Sequence, residues 1–286
     1  MAVANIFKCR GNEIDIIPNR ILEELNISYE EANNNASKMA ILSKDLKEYK
    51  NKGYCRLPFC HTVESEAFGS TVIFDQKVGN RISKYGINEI SSVEDMSGMD
   101  LSKGRIAEVL KAVNILKDKG ERIILDATGP ISIATSILDS QLFYKAIRKD
   151  RDKINKLLTI IEDSIVEYIL EGIKHGADII SFADPTGTID IVGPKVYEEI
   201  SGKATYNILK KIESHLDSSI IHLCGKTSTS LEAIGLLEIE KIEVDGNNYF
   251  EMIENLKKER KDIKFIGHWC LKLNKRDNAI INCKIK

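Results

Sequence analysis

The feature that most constrains this chain is an alternation, sustained from Arg105 to Cys270, of amphipathic helical stretches with short apolar runs that each end in a polar or glycine-bearing loop. Arg105 to Lys117 carries Ile106, Val109, Leu110, Val113 and Leu116 on one side of a helix. Arg122 to Ala127 follows as a strand, and Thr128-Gly129-Pro130 ends it and starts a helix over Ile131 to Leu138. The pattern then predicts helices over Asp150 to His175 with Gly176 as C-cap, Pro194 to Ile212, Ser230 to Leu236 and Tyr249 to Lys258. Between them it predicts strands over Asp178 to Ala183, Ile220 to Cys224, Lys241 to Val244 and Ile263 to Gly267, with Ala279 to Ile285 as the last. Strands separated by helices pair in parallel, because a parallel pair needs a crossover and a helix supplies it. Glu64, Thr128, Asp184, His222, Cys224, Asp245 and Cys270 fall at or just after the C-terminal ends of at least six strands. A barrel gathers that many strand ends at one mouth, whereas an open sheet uses the ends flanking one switch point. The expectation is an α/β chain forming a single (β/α)8 TIM-type barrel domain over residues 1–286.

Residues 1–53 are expected to be a helical N-terminal extension to that barrel. Within it, Ser28-Tyr29-Glu30-Glu31 is a helix-start signal, and Ala32, Ala36, Met39, Ala40, Leu42 and Leu46 form one apolar stripe that Gly53 stops. Tyr54 to Phe59 reads as a short buried strand. Residues 71–97, broken by Asn80, Gly86 and Asn88, read as a polar excursion without assignable elements. The 41 basic and 43 acidic residues are interspersed and leave a net charge of −2, which argues against nucleic acid as a partner. No run approaches the roughly 18 apolar residues of a membrane helix, and no signal-peptide core precedes Arg10-Gly11-Asn12-Glu13. A cytoplasmic protein with no membrane partner is expected. No phosphate-binding glycine motif points to a nucleotide.

Chemistry concentrates in Ser218 to Gly225. On a strand, residues i and i+2 share a face, so His222 and Cys224 project together as two metal-capable side chains. Cys270, at the end of the Lys264 to Cys270 strand, offers a third donor, with Cys283 ranked behind it. A catalytic zinc commonly has three protein ligands and an open fourth place, and thiolates favour zinc over magnesium or calcium. The same residues also read as ordinary buried thiols and a core histidine, since H-x-C alone is a weak pattern. Glu64, Asp184 and Asp245 read either as substrate or metal contacts or as caps of the helices that follow, with Asp245 the candidate fourth zinc ligand. His61 and His268 are placed near the mouth, and His175 and His215 at the surface. Cys9, Cys55 and Cys60 read as core or surface thiols.

Four segments give the chain a family likeness. Leu57-Pro58-Phe59-Cys60-His61-Thr62-Val63-Glu64-Ser65-Glu66-Ala67-Phe68-Gly69, Gly176-Ala177-Asp178 through Ala183-Asp184-Pro185-Thr186, His222-Leu223-Cys224-Gly225 and Cys270 together resemble the uroporphyrinogen decarboxylase superfamily. Within it they resemble the methylcobamide:coenzyme M methyltransferase branch. The resemblance implies a barrel holding Zn2+ through His222, Cys224 and Cys270, with the zinc generating a thiolate from a small thiol such as coenzyme M or homocysteine. It further implies that this thiolate takes a methyl group from a methyl-corrinoid supplied by a partner corrinoid (cobalamin-binding) protein. Two departures stand out. Cys224 and Cys270 are 46 positions apart, shorter than the branch's spacing, which points to a βα unit trimmed near the C-terminus. Asp245 stands where a glutamate is more usual. A tetrapyrrole decarboxylase is the alternative, disfavoured by the lack of an R-Q-A-G-R-like segment near the N-terminus. A non-catalytic corrinoid-protein partner with structural zinc is a third reading.

Overall fold

The computed structural model describes Phe7 and residues 16–271 and 278–286, so Cys9 lies outside the described residues. The expected helical extension is three helices, α1 (Asn19–Leu25), α2 (Tyr29–Asn34) and α3 (Ala36–Tyr49). The capping box at the start of α2 forms as anticipated, with the Glu31 amide donating to Ser28 Oγ and the Ser28 amide to Glu31 Oε2. Strand β1 (Cys55–Leu57) leads into the short helix α4 (Val63–Ala67). The stretch without assigned elements holds an antiparallel hairpin of β2 (Thr71–Ile73) and β3 (Arg81–Lys84), then a 3-10 turn over Ile90–Asp95.

From α5 (Gly104–Asp118) the expected alternation sets in. Strand β4 (Ile123–Thr128) is buried throughout, as a strand covered on both faces must be. It is followed by α6 (Pro130–Ile137), α7 (Ser140–Lys149) and α8 (Arg151–His175), the last ended by Gly176 at φ 112°. Strand β5 (Ile179–Ala183) leads through α9 (Ile189–Val192), α10 (Pro194–Val196) and a π-turn over Tyr197–Ser201 into α11 (Gly202–Ile212). Then come β6 (Ile220–Leu223), α12 (Gly225–Ala233), β7 (Leu237–Glu243), α13 (Tyr249–Glu259), β8 (Phe265–Gly267) and β9 (Ala279–Ile285).

The seven-stranded sheet runs β1-β4-β5-β6-β8-β9-β7. Its first five strands are parallel and lie in chain order, with no reversal of direction along the sheet. A doubly wound sheet must reverse at a switch point, so this is the barrel type of winding. Near the C-terminus the parallel winding gives way, because β9 is antiparallel to both β8 and β7. One expectation is corrected here. The strand expected at Lys241 to Val244 was read as the next βα unit, but β7 sits beyond β9 at the sheet edge instead of between β6 and β8. Its sequence, Leu-Glu-Ile-Glu-Lys-Ile-Glu, carries the alternating charge that keeps an edge strand from pairing further.

The two faces of the sheet bury different partners. Ile123, Leu125, Ile180, Phe182, Ile221 and Leu223 pack against the outer helices, among them Ile161 and Ile165 of α8 and Ile208 of α11. The alternate residues Ile124, Ile179, Ile220 and Ile266 face Tyr249, Phe250, Ile253 and Leu256 of α13. That helix therefore covers the inner face. It is tied down by Arg122 on Glu254 at 2.7 Å, by Tyr54 on the same carboxylate, and by Lys257 Nζ donating to the Asp178 carbonyl at 3.3 Å.

Candidate functional site

The inner face carries a row of polar side chains set by register. Asp126, Ser181, His222, Asn282 and Glu240 stand abreast on successive strands, interrupted by the apolar Ile266 between His222 and Asn282. His222 is buried at 1% exposure, its ring edge-on to Tyr249 with centroids 5.7 Å apart. Burial first, and the Arg56 cation second, push its pKa down to about 3, so the imidazole is neutral. Its Nε2 has no hydrogen-bond partner among the described residues. A buried, neutral, unsatisfied ring nitrogen is costly unless something else meets it.

Cys224 follows at the strand end, half-buried at the N-cap of α12, its amide donating to the Phe182 carbonyl at 2.8 Å. Cys270 is half-buried in the turn after β8, the strand that pairs directly with β6. His268 within that turn has a φ of 65°, the left-handed region uncommon for a side-chain-bearing residue. Its amide donates to Ser228 Oγ at 2.8 Å, and its Nε2 lies 2.8 Å from Glu232 Oε2. The fold thus delivers His222, Cys224 and Cys270 to adjoining strand ends. Among the described residues, no three His, Cys, Asp or Glu side chains are grouped closely enough to hold a metal. Cys283 lies on the other face, one residue beyond inward-facing Asn282. It is 1% exposed, 3.9 Å from His268 Nδ1, and burial pushes its thiol up.

The three acidic candidates have separate places. Glu64 is buried on α4, where one oxygen accepts the Thr128 amide at 2.7 Å and the other the Thr128 hydroxyl at 3.1 Å. Desolvation raises its pKa against the pull of these bonds. Asp184 accepts the Ile131 amide at 3.1 Å and the Ser132 amide and hydroxyl at 2.8 and 2.6 Å, so it closes the N-terminus of α6 from a neighbouring strand end. A Cβ on Gly129 would come within 2.3 Å of the Asp184 Cβ, which is why the Thr128-Gly129-Pro130 turn needs glycine. Asp245 is exposed beyond the end of the edge strand β7 and, among the described residues, belongs to no group of three metal-capable side chains.

Sequence reasoning passed over Arg56, Asp126 and Arg105. Arg56 clasps Asp126 through Nε at 3.1 and 2.8 Å and Nη2 at 3.0 Å, and both line a cavity of about 410 Å³. Cys60, His61, Thr62, Lys52 and Phe250 line it too. Buried Arg105 donates to Cys60 Sγ at 3.1 Å and to Thr62 Oγ1 at 2.8 Å. Cys55 is a core thiol pushed up to about 11 by burial and Glu121. His175 and His215 lie at helix ends on the periphery, within reach of Glu171 and of the Lys211 carbonyl respectively. No described helix is long and apolar enough to cross a membrane.

Comparison with known proteins sets this geometry in context. The chain is 27% identical over 219 residues to a methylcobamide:CoM methyltransferase, MtbA, of Methanosarcina acetivorans, covering 75% of this chain and 64% of that protein. To MtaA of Methanosarcina barkeri, also a methylcobamide:CoM methyltransferase, it is 25% identical, with 79% and 67% covered. The chain thus spans about two thirds of the length of these relatives. A solved methyltransferase from Methanosarcina mazei shares the fold with a TM-score of 0.66, at 20% identity and with 78% and 76% of the two chains covered. The family model for uroporphyrinogen decarboxylase (URO-D) matches residues 15–274, nearly the whole sequence, and the chain belongs to that family.

Proposed function

We propose that this chain moves a methyl group from a methyl-corrinoid, carried by a partner protein, to a small thiol, at a zinc ion held by His222, Cys224 and Cys270. The observation that carries the reading is His222 Nε2, a buried nitrogen on a neutral ring with no hydrogen-bond partner among the described residues, two positions from one thiol in sequence and one strand from another. The donors fit zinc by type, one imidazole and two thiols. Zinc, when bound, supplies the positive charge that lets a thiol lose its proton near neutral pH. The relatives named as methylcobamide:CoM methyltransferases support the corrinoid and the thiol acceptor.

The chain's own residues have definable tasks in this reading. Tyr249 and Ile266 exclude water around His222 and keep it unprotonated, so that its ring can only accept an electrophile. Asp184 and Glu64 hold the α6 and α4 ends that frame the mouth. The acceptor sulfur gains the methyl group, and the cobalt–carbon bond breaks with its electron pair left on cobalt. In-line approach of donor and acceptor at that mouth is the positioning the protein must supply.

The test combines metal analysis with turnover. The purified chain is expected to hold about one zinc, lost in His222→Ala and Cys224→Ser, and to methylate at least one member of a panel of small thiols from methylcobalamin only when zinc is present. Failure with every thiol in the presence of zinc, or metal-free decarboxylation of a tetrapyrrole, would overturn the reading.

A further inference from the structure

The two thiol-bearing turns are joined by one hydroxyl. Ser228, fully buried on α12, has Oγ 3.2 Å from the Cys224 carbonyl and 3.3 Å from that of Gly225, to which its O–H donates, and the same oxygen accepts the His268 amide at 2.8 Å. The Ser228 amide also donates to the Cys224 carbonyl at 2.9 Å. A serine hydroxyl has one hydrogen to give and lone pairs to receive, and here both capacities are used between two separate loops. The contact is tight: a Cβ on Gly267 would meet Ser228 Cβ at 2.8 Å, and one on Gly225 would meet the His268 carbonyl at 3.1 Å. His268 itself sits at φ 65°, a conformation that persists only where its surroundings hold it. The Glu232 carboxylate, one turn further along α12, holds its ring at 2.8 Å.

We infer that Ser228, with Glu232 behind it, is a positioning residue that fixes the spacing of Cys224 and Cys270. The hydroxyl pins the His268 turn against the start of α12, and the left-handed residue turns the chain so that Cys270 follows at the end of β8 beside β6. The role in metal binding rests on the zinc reading above; the coupling of the two turns does not. Ser228 touches neither substrate nor metal, and acts through the two backbones that carry the thiols.

The chain contains a single tryptophan, Trp269, between His268 and Cys270, so its fluorescence reports the turn without any metal. Ser228→Ala keeps the Cβ packing and removes the link. In metal-free protein it is expected to shift Trp269 emission and to speed hydrogen exchange at the His268 amide, with the circular dichroism of the fold retained. In competition with a chromophoric chelator it should bind zinc about 10- to 100-fold more weakly, as loss of ligand support usually does. Glu232→Ala, at a side chain 35% exposed and safe for folding, is expected to move both readouts in the same direction by less. Unchanged Trp269 emission and His268 exchange in both Ser228→Ala and Glu232→Ala overturn the positioning role. If the wild-type chain binds no zinc while those two signals respond, the zinc reading fails and the coupling of the turns stands.

Discussion

Arg56→Ala is a perturbation whose size follows from geometry. Strand β1 is the edge of the sheet, and its inward side chain Arg56 makes three hydrogen bonds to Asp126 on β4, whose side chain is 7% exposed. Removing the cation leaves a buried carboxylate without its partner, which costs roughly 3–5 kcal/mol when both ions are fully buried. Arg56 keeps 29% of its side-chain exposure, so water recovers part of that and about 2–3 kcal/mol remains. At roughly 2–4 °C per kcal/mol for larger domains, Tm should fall by about 4–12 °C. The double replacement Arg56→Met with Asp126→Leu removes both charges and keeps volume, and should stay within about 1 kcal/mol of the wild type. Urea unfolding followed by circular dichroism measures each variant, with equal m-values as the check that only stability has changed. A double-mutant coupling below about 0.5 kcal/mol would refute the argument, since it would mean that the pair is solvated and holds nothing.

Other consequences are as direct. Asp184→Asn replaces one of the two accepting oxygens by an NH2 that faces at least the Ile131 amide, and should lower stability by about 1–3 kcal/mol in thermal unfolding; an unchanged Tm would show that α6 is held otherwise. Gly129→Ala drives a methyl into the Cβ of Asp184 and should destabilise at least as much in the same assay, and an unchanged Tm would show that the turn can open there. In the metal-free chain the buried His222 titrates near 3 against an ordinary 6.5, so the unfolded state binds more protons between those values. Its contribution is complete above about pH 6.5 and declines below it by up to about 1.4 kcal/mol per pH unit. The stability difference between wild type and His222→Gln should track that slope from pH 6.5 to 5, and a difference flat with pH would show an imidazole open to water.

How far the sequence spoke for itself depended on whether the deciding physics was local. The buried strands β4, β5 and β6 were legible as apolar runs between amphipathic helices, and His222 and Cys224 as a same-face pair, because pleat and helix period are local. The start of α12 was not. Gly225-Lys226-Thr227-Ser228-Thr229-Ser230 has poor helix formers, and the helix expected from Ser230 begins five residues earlier. Thr229 Oγ1 bonds back to the Gly225 carbonyl at 2.7 Å and Ser228 to that of Cys224, so the polar side chains spend themselves on the helix instead of competing with it. Of the strand at Leu237–Glu243 only the end, from Lys241, was expected, and it was misplaced in the sheet, since a period of two identifies a strand and says nothing about its neighbours. Arg56 and Asp126 were missed for a related reason: each reads alone as a surface charge, and only the pairing of β1 with β4 sets them side by side.

The antiparallel pairing at one end of the sheet bears on how the strand ends around His222 are supported. A closed barrel fills its interior with side chains from opposing strands. Here Ile124, Ile179 and Ile220 meet α13 instead, whose Ile253 and Leu256 are almost wholly buried, each contributing about 1.5–3 kcal/mol of burial. That helix begins at Tyr249 against His222 and ends beside Arg122 and Asp178, at the starts of β4 and β5. It therefore closes the lower interior and stops at the level of the histidine. Above that level the loops after β4, β5, β6 and β8 remain in unbroken order, bound to one another through Asp184, Ser228 and the Phe182 carbonyl. The mouth depends on adjacency among these four strands, which is retained, while the floor depends only on apolar cover, which a helix provides as well as strands do. The antiparallel pairing of β9 with β8 and β7 thus leaves His222, Cys224 and the turn that carries Cys270 in the register set by the parallel strands.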